Sequence, residues 1–124
     1  MSPRRRSVAN RRQWRTHQLN RIWRHREASE LALILVSEGN CAVPGTGWNA
    51  AEISHATAPS NAAAAQAADS VLSMCIDCPV LSECAQWASI DRYTGLAAGS
   101  SWIRGKEYDP HTTINNSRPK TGAA

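Results

Sequence analysis

The sequence predicts an all-α protein, a small helical bundle with a basic N-terminal arm and a loose C-terminal tail. Residues 11–37 contain no Gly or Pro and are rich in helix-forming side chains. Apolar residues between 62 and 90 recur at helical spacing rather than alternating as they would in a strand. The chain has 124 residues and no Phe, which favours one small domain with a thin core.

Four helical segments follow from this pattern. Residues 11–37 predict one or two helices, with the apolar run from Leu31 to Val36 buried on all sides. A short helix is predicted over 48–55, and a third over 62–74, with Ser60 or Asn61 as its N-cap. The apolar stripe of this third helix consists of Ala64, Ala68, Val71, Leu72 and Cys75.

The last predicted helix covers 79–90, with Pro79 as its first residue, where the missing N–H costs nothing. Its apolar face comprises Val80, Leu81, Cys84, Trp87 and Ala88. A tight turn is expected between Gly95 and Gly99. We therefore divide the chain into a basic arm (1–26, partly helical or disordered), a domain that carries all four cysteines (27–105) and a flexible tail (106–124).

Charge is distributed very unevenly along the chain. Residues 1–26 contain nine of the 14 basic residues and none of the ten acidic ones. Such a basic segment joined to an acidic body indicates an anionic partner, most simply DNA. The candidate DNA-contacting residues are Arg4, Arg5, Arg6, Arg11, Arg12 and Arg15.

The cysteines are the candidate metal ligands. Cys75, Cys78 and Cys84 form a C-x2-C-x5-C motif, and Cys41 lies alone upstream. A zinc ribbon would carry two similar C-x2-C pairs, so this uneven spacing favours an iron–sulfur cluster, with zinc as the alternative. A disulfide in the metal-free form is also expected, because closely spaced thiols oxidise readily.

The sequence gives no indication of export. The run from Leu31 to Val36 is too short to span a bilayer, and no apolar stretch closely follows the arginines near the N-terminus. We therefore expect a cytoplasmic protein without a membrane partner. In that compartment, four cysteines favour a metal or redox role over structural disulfides.

Together these motifs resemble the WhiB-like proteins, iron–sulfur transcription regulators of actinobacteria and their phages. The resemblance covers roughly residues 30–105 and consists of the lone Cys41, the C-x2-C-P-V-x3-C segment from Cys75 to Cys84, and a G-x3-G turn. It implies that the four cysteines ligate one [4Fe–4S] cluster inside a small helical bundle. It also implies a partner, the C-terminal domain of the primary RNA polymerase sigma factor.

Two features depart from the family pattern. Ala97 stands where the family turn carries a Trp that grips the sigma factor, and the basic segment that usually follows the turn is thin here. We therefore assign the expected partner contact to Gly95, Gly99 and Trp102, with Trp102 as a substitute for the missing Trp.

The resemblance implies a transcription regulator that senses redox state or nitric oxide through its cluster. It is expected to bind DNA and the sigma factor, without enzymatic turnover or a small-molecule substrate. The first alternative is a zinc-dependent nucleic-acid-binding module. The second is a thiol–disulfide reductase using Cys75 and Cys78, although such enzymes place C-x2-C in a βαβ setting that the sequence does not predict.

Overall fold

The computed structural model describes the backbone of residues 8–116 and the side chains of residues 21–116. Its helices are α1 (Val8–Glu38), α2 (Trp48–Ala56), α3 (Asn61–Ile76) and α4 (Leu81–Ile90), and its strands are β1 (Gly95–Ala97), β2 (Ser100–Ile103) and β3 (Lys106–Tyr108). Short 3-10 turns cover Asn40–Ala42 and Ile114–Asn116. The protein is mostly helical, as predicted, but the all-α prediction is wrong for the segment after α4.

Helix α3 matches its prediction closely. The Ser60 hydroxyl accepts a hydrogen bond from the Ala63 N–H at 3.1 Å, so Ser60 is the N-cap. The predicted stripe is buried along its whole length, from Ala64 to Cys75. Helix α3 therefore carries Cys75 into the core at its last turn.

Helix α4 begins two residues later than predicted. Val80 is the N-cap and Leu81 the first helical residue, because the Leu81 N–H closes a turn onto the Cys78 carbonyl at 3.3 Å. Pro79 lies within that turn. At the other end, the Tyr93 N–H donates to the Ala88 carbonyl and the Arg92 N–H donates to the Ser89 carbonyl. These two hydrogen bonds together form a Schellman motif.

The three strands form one antiparallel sheet in the order β1-β2-β3. Ala97 pairs with Ser100, and Ile103 pairs with Lys106, so each hairpin has a two-residue turn. Both residues of each turn have positive φ, as in a type I′ turn. We predicted only a tight turn here, because the strands are short and Gly, Ala, Ser and Lys have low strand propensity.

The segment after β2 is also not the loose tail that we predicted. Residues 106–108 form β3, and the chain then returns to α2 and α3. The buried His55 ring lies 2.7 Å from the Pro110 carbonyl, and Thr113 N–H donates to the Asn61 side chain at 2.8 Å. Residues 117–124 of the predicted tail lie outside the described part of the chain.

Helix α1 packs against α4 and against the turn at 40–42. The prediction that Leu31–Val36 is buried all round is wrong, since only the side facing the body is covered. Leu31 is buried, whereas Leu33 and Val36 are 71% and 74% exposed. Among residues 8–116, no helix combines the length and the apolar character that crossing a bilayer requires.

Candidate metal centre

All four cysteines line one cavity of about 560 Å³. Cys41 lies in the 3-10 turn after α1, Cys75 in the last turn of α3, and Cys78 in the turn before α4. Cys84 comes from α4 itself, and all four are free thiols. The structure therefore brings together the complete predicted ligand set from four separate segments.

Local contacts explain how the distant Cys41 reaches the others. Helix α1 ends where the Gly39 N–H bonds to the Leu35 carbonyl at 2.9 Å, and a Cβ at Gly39 would come within 2.6 Å of that carbonyl oxygen. The next residue, Asn40, donates from its side chain to the Met74 carbonyl at 2.9 Å. This bond fastens the Cys41 turn to the end of α3, one residue before Cys75.

The cavity disfavours ionised thiols while it holds no positive charge. Burial raises the pKa of Cys41 and Cys75, and it raises that of Cys84 to about 11. Repulsion from the neighbouring thiolates raises the pKa of these three further. Binding of a metal centre would offset both effects and would release protons.

The turn of the first hairpin supplies hydrogen bonds to two of the sulfurs. The backbone of Gly99 bonds to Cys75 and that of Ala98 bonds to Cys84, and each bond lowers the pKa of its thiol against the effect of burial. A donated N–H has this effect because it favours the charged thiolate. Hydrogen bonds to the ligand sulfurs also tune an iron–sulfur cluster.

Glu52 fastens this hairpin to α2. Its carboxylate accepts hydrogen bonds from the Tyr93 hydroxyl and from the Leu96 N–H, the latter at 2.7 Å. Burial, and then the bond to Glu52, raise the pKa of Tyr93 above its usual value. A Cβ at Gly95 would lie 2.1 Å from the Glu52 carboxylate, so a side chain there would displace it.

Glu52 and Tyr93 were missed from the sequence. Both line the cavity, where Glu52 is the only formally charged side chain among the described residues. The Tyr93 ring packs against Trp87, with centroids 4.7 Å apart. Neither residue lies at a sequence spacing that indicates a functional site. The most closely related sequence feature is Gly95, but its close contact with Glu52 depends on the fold.

The three predicted partner-contacting residues have internal roles in the structure. Gly95 makes room for Glu52, and Gly99 presents its backbone to Cys75. Trp102 is only 6% exposed, packs in a core cluster with Ala88 and Ala97, and donates its indole N–H to the Ala97 carbonyl at 2.7 Å. The prediction that Trp102 substitutes as a surface contact is therefore wrong, because the second strand turns it inward.

Four thiols are a donor set that either a zinc ion or an iron–sulfur cluster accepts. Among the side chains of residues 21–116, no group of three or more Cys, His, Asp or Glu is spaced to hold a metal ion, although the four thiols line one cavity. Tetrahedral zinc, with Zn–S bonds of about 2.3 Å, would require sulfurs within about 4 Å of each other. An iron–sulfur cluster needs wider spacing, because its irons and sulfides lie between the ligands. Four thiols, apolar walls and the two backbone donors suit such a group.

The basic arm is only partly described. Arg11, Arg12 and Arg15 lie on the backbone of α1, so this part of the arm is helical. Arg4, Arg5 and Arg6 lie outside the described residues. The DNA contacts predicted for the arm stay predictions.

Neither family models, nor curated proteins, nor solved structures gave a match to this chain. The likeness to the WhiB-like proteins therefore stands on the cysteine spacing and the glycine turn. The C-x2-C pair lies at the end of α3, and within residues 8–116 no strand leads into it, since the three strands found there follow α4. This arrangement differs from the βαβ setting of thiol–disulfide reductases.

Proposed function

We propose that this chain is a cytoplasmic transcription regulator of the WhiB-like kind, with one [4Fe–4S] cluster on Cys41, Cys75, Cys78 and Cys84. The observation that carries the proposal is the convergence of these four free thiols on one cavity. When bound, the cluster supplies an iron centre that responds to redox state or nitric oxide. The protein acts by binding partners, without turnover.

The residues around the cavity have defined parts in holding such a group. The four thiols are its ligands, and the N–H groups of Ala98 and Gly99 are directed at two of them. The ligands lie on four separate segments, so losing the group would loosen the contacts between α1, α3 and α4. A change at the centre is in this way converted into a change of shape.

Anaerobic purification tests the cluster directly. Protein expressed with iron should be brown and contain about four irons and four sulfides per chain. Colourless protein with about one zinc per chain would instead support the zinc module.

A ligand variant and a matched control make this test specific. Cys84→Ser should lose the colour and the iron, because one of four ligands is replaced by a weaker one. Ser82→Ala changes the exposed face of the same helix and should retain both. Equal iron in the two variants would contradict the assignment of Cys84.

The proposal includes DNA binding by the arm. Nine arginines within residues 1–26 and no acid there form a strongly cationic segment, and arginine suits phosphate oxygens through paired donors. Contacts of this kind position a protein without reading sequence. The arm is therefore expected to give affinity, and little base specificity.

Salt dependence measures this contribution. If about five to eight phosphates are neutralised, log affinity should fall with log salt at a slope of roughly −4 to −7. Deleting residues 1–12 removes five arginines and should make the slope shallower. All four cysteines lie downstream, so the iron content should not change. Equal slopes would show that residues 1–12 do not contact DNA.

The proposal also includes the C-terminal domain of the primary sigma factor as a partner, which comes from the family resemblance. Since Trp102 is buried, the contact must involve other residues. Val36 and Val43 border the cysteine cavity and are 74% and 60% exposed, which makes them the apolar candidates at its mouth.

Co-purification with the sigma domain tests this assignment. Val36→Asp should weaken the complex, because it places a charge in an apolar contact. Ile53→Asp is the control, since Ile53 is 66% exposed but lines a different surface. No complex with the cluster-loaded protein, or equal effects of the two variants, would contradict this part of the proposal.

A further inference from the structure

A second groove, separate from the cysteine cavity, lies between α1 and the end of α4. It has a volume of about 710 Å³, and its basic lining consists of Arg21, Arg24, His25 and Arg26 from α1 and Arg92 from the turn after α4, with Ile22 and Ile90 as the apolar remainder. No carboxylate lines it among the described residues. The fold therefore joins basic side chains that are far apart in sequence.

Ordinary helix stabilisation does not account for this much charge. The carboxyl end of α4 carries about half a negative charge from its dipole, which one cation would offset. Arg26 also forms an exposed ion pair with Glu30 at 3.7 Å. Within the described part of the chain, no carboxylate pairs with Arg21, Arg24 or Arg92.

Arg92 occupies a position that usually carries glycine. It is the residue just beyond the cap of α4, with φ of 52°, and it allows the Schellman bonds to Ser89 and Ala88. A side chain in this left-handed conformation costs about 1–2 kcal/mol. An arginine that occupies this strained position points to a role for its side chain in the groove.

We propose that this groove, formed by the last basic residues of the arm together with Arg92 of the body, binds a backbone phosphate of a nucleic acid duplex. The inference rests on the proposed function, because it takes DNA as the ligand of the basic segment. Arginine forks match the oxygens of a phosphodiester.

A duplex fits this surface better than an anionic membrane does. A helix that lies in a membrane interface gathers its apolar residues on one face. The apolar residues of α1 are spread around the helix instead. A groove with converging arginines suits a discrete phosphate, whereas a bilayer surface favours a flat face.

The groove fixes the orientation of the body on the duplex. Helix α1 is continuous from Val8 to Glu38, so about 20 Å of helix separates Arg11 from Arg24 at a rise of about 1.5 Å per residue. Contacts near both positions would hold the helix at two points along the backbone. Arg92 then ties α4, and with it Cys84, to the same DNA.

Two matched arginine variants test the groove. Arg92→Gln and Arg104→Gln each remove one charge from an exposed turn residue with nearly the same φ, 52° and 51°, and only Arg92 lines the groove. With the full, cluster-loaded chain and a fluorescent duplex, Arg92→Gln should weaken binding and reduce the salt slope by about 0.9. Arg104→Gln should leave the slope unchanged. Arg21→Gln, within helix α1, should repeat the Arg92 result without altering a turn.

Each unexpected result of these binding experiments leads to a different conclusion. If the full chain binds duplex but all three variants match it in slope, the groove inference is wrong and the proposed function stands. If the full chain shows no salt-dependent binding to the duplex, the groove inference and the DNA-binding part of the proposed function both fall, whereas the metal centre is judged by its iron content. If Arg92→Gln weakens binding only to vesicles of anionic lipid, the ligand is a membrane and the inference is overturned.

Discussion

The two hairpin turns of the sheet share a backbone conformation but have different surroundings. In the first turn φ is 50° at Ala98 and 76° at Gly99, and in the second it is 51° at Arg104 and 81° at Gly105. The first turn lies over the cysteine cavity and bonds to Cys75 and Cys84. The second turn packs on the end of α4, beside Ser89 and Arg92.

This comparison separates two reasons for a glycine. A Cβ at Gly99 would meet only the Cβ of Cys75, at an ordinary 3.9 Å, so glycine is needed there for its conformation alone. A Cβ at Gly105 would lie 2.7 Å from the Ser89 carbonyl oxygen and 3.0 Å from the Arg92 Cα. Glycine is needed there for space as well. The same type of turn thus presents backbone N–H donors to the cysteines in the first hairpin and allows close packing against α4 in the second.

The largest effect is expected from Gly105→Ala. Left-handed strain and crowding together should lower the free energy of unfolding by about 2–4 kcal/mol. Gly99→Ala carries only the strain and should lower it by about 1–2 kcal/mol. Urea denaturation followed by circular dichroism measures both. An equal loss in the two variants would show that the contact with α4 adjusts without cost.

Alkaline pH should weaken the fastening of the first hairpin. Because the pKa of Tyr93 is raised in the folded protein, the unfolded chain loses this proton first as the pH rises past its ordinary value of 10.0. Below that pH the protonated hydroxyl makes its full contribution to the free energy of unfolding. Above it, this contribution falls by up to about 1.4 kcal/mol per pH unit. In protein without a metal centre the thiols add to this fall, since their pKa values are also raised.

Tyr93→Phe isolates the tyrosine in this pH dependence. The variant keeps the ring against Trp87 but has no proton to lose, so its stability should fall less steeply with pH than that of the parent chain. Denaturation midpoints at several pH values above 9 give the two slopes. Parallel slopes would mean that the bond to Glu52 does not hold the proton.

Glu52→Gln should have a smaller effect on folding and a visible effect on the metal centre. The amide oxygen can still accept from Tyr93 and Leu96, so the loss should be about 1 kcal/mol, the difference between charged and neutral hydrogen bonds. Removing a negative charge from the cavity should make the bound cluster easier to reduce. The exposed Glu27→Gln is the control, and an unchanged midpoint potential in Glu52→Gln would contradict this role.

The sequence predicted the parts of this fold that depend on local pattern. The stripe from Ala64 to Cys75 and the Ser60 cap follow from helical spacing and capping chemistry, and the structure confirms both. The grouping of the four thiols also followed from their spacing. The burial of Leu31–Val36 was predicted wrongly, because hydrophobicity alone does not show which side of a helix lacks a partner.

The sheet and the contacts behind it could not be derived in this way. Ala98-Gly99 and Arg104-Gly105 lack the Asn or Asp that usually marks a type I′ turn. The bonds of Glu52 to Tyr93 and Leu96 join residues far apart in sequence, and only packing brings them together. Trp102 was assigned to the partner contact as a substitute for the missing turn Trp, whereas strand pairing directs it into the core.

The smallest effect is expected from glycine at the other position of each turn. Ala98 and Arg104 both adopt positive φ, so Ala98→Gly and Arg104→Gly should relieve strain, partly offset by the entropy of glycine, for a net gain of about 0.5 kcal/mol each. Because the two φ values are nearly equal, the stability gains should be nearly equal as well.

The variants should differ in the lifetime of the bound cluster in air, followed by its visible absorbance. Ala98→Gly should shorten that lifetime, since a looser turn holds its N–H less firmly on the Cys84 sulfur, whereas Arg104→Gly should leave it unchanged. Equal lifetimes would mean that the donors over the cavity do not depend on the rigidity of their turn, and the two hairpins would then differ only in how closely their glycines are packed.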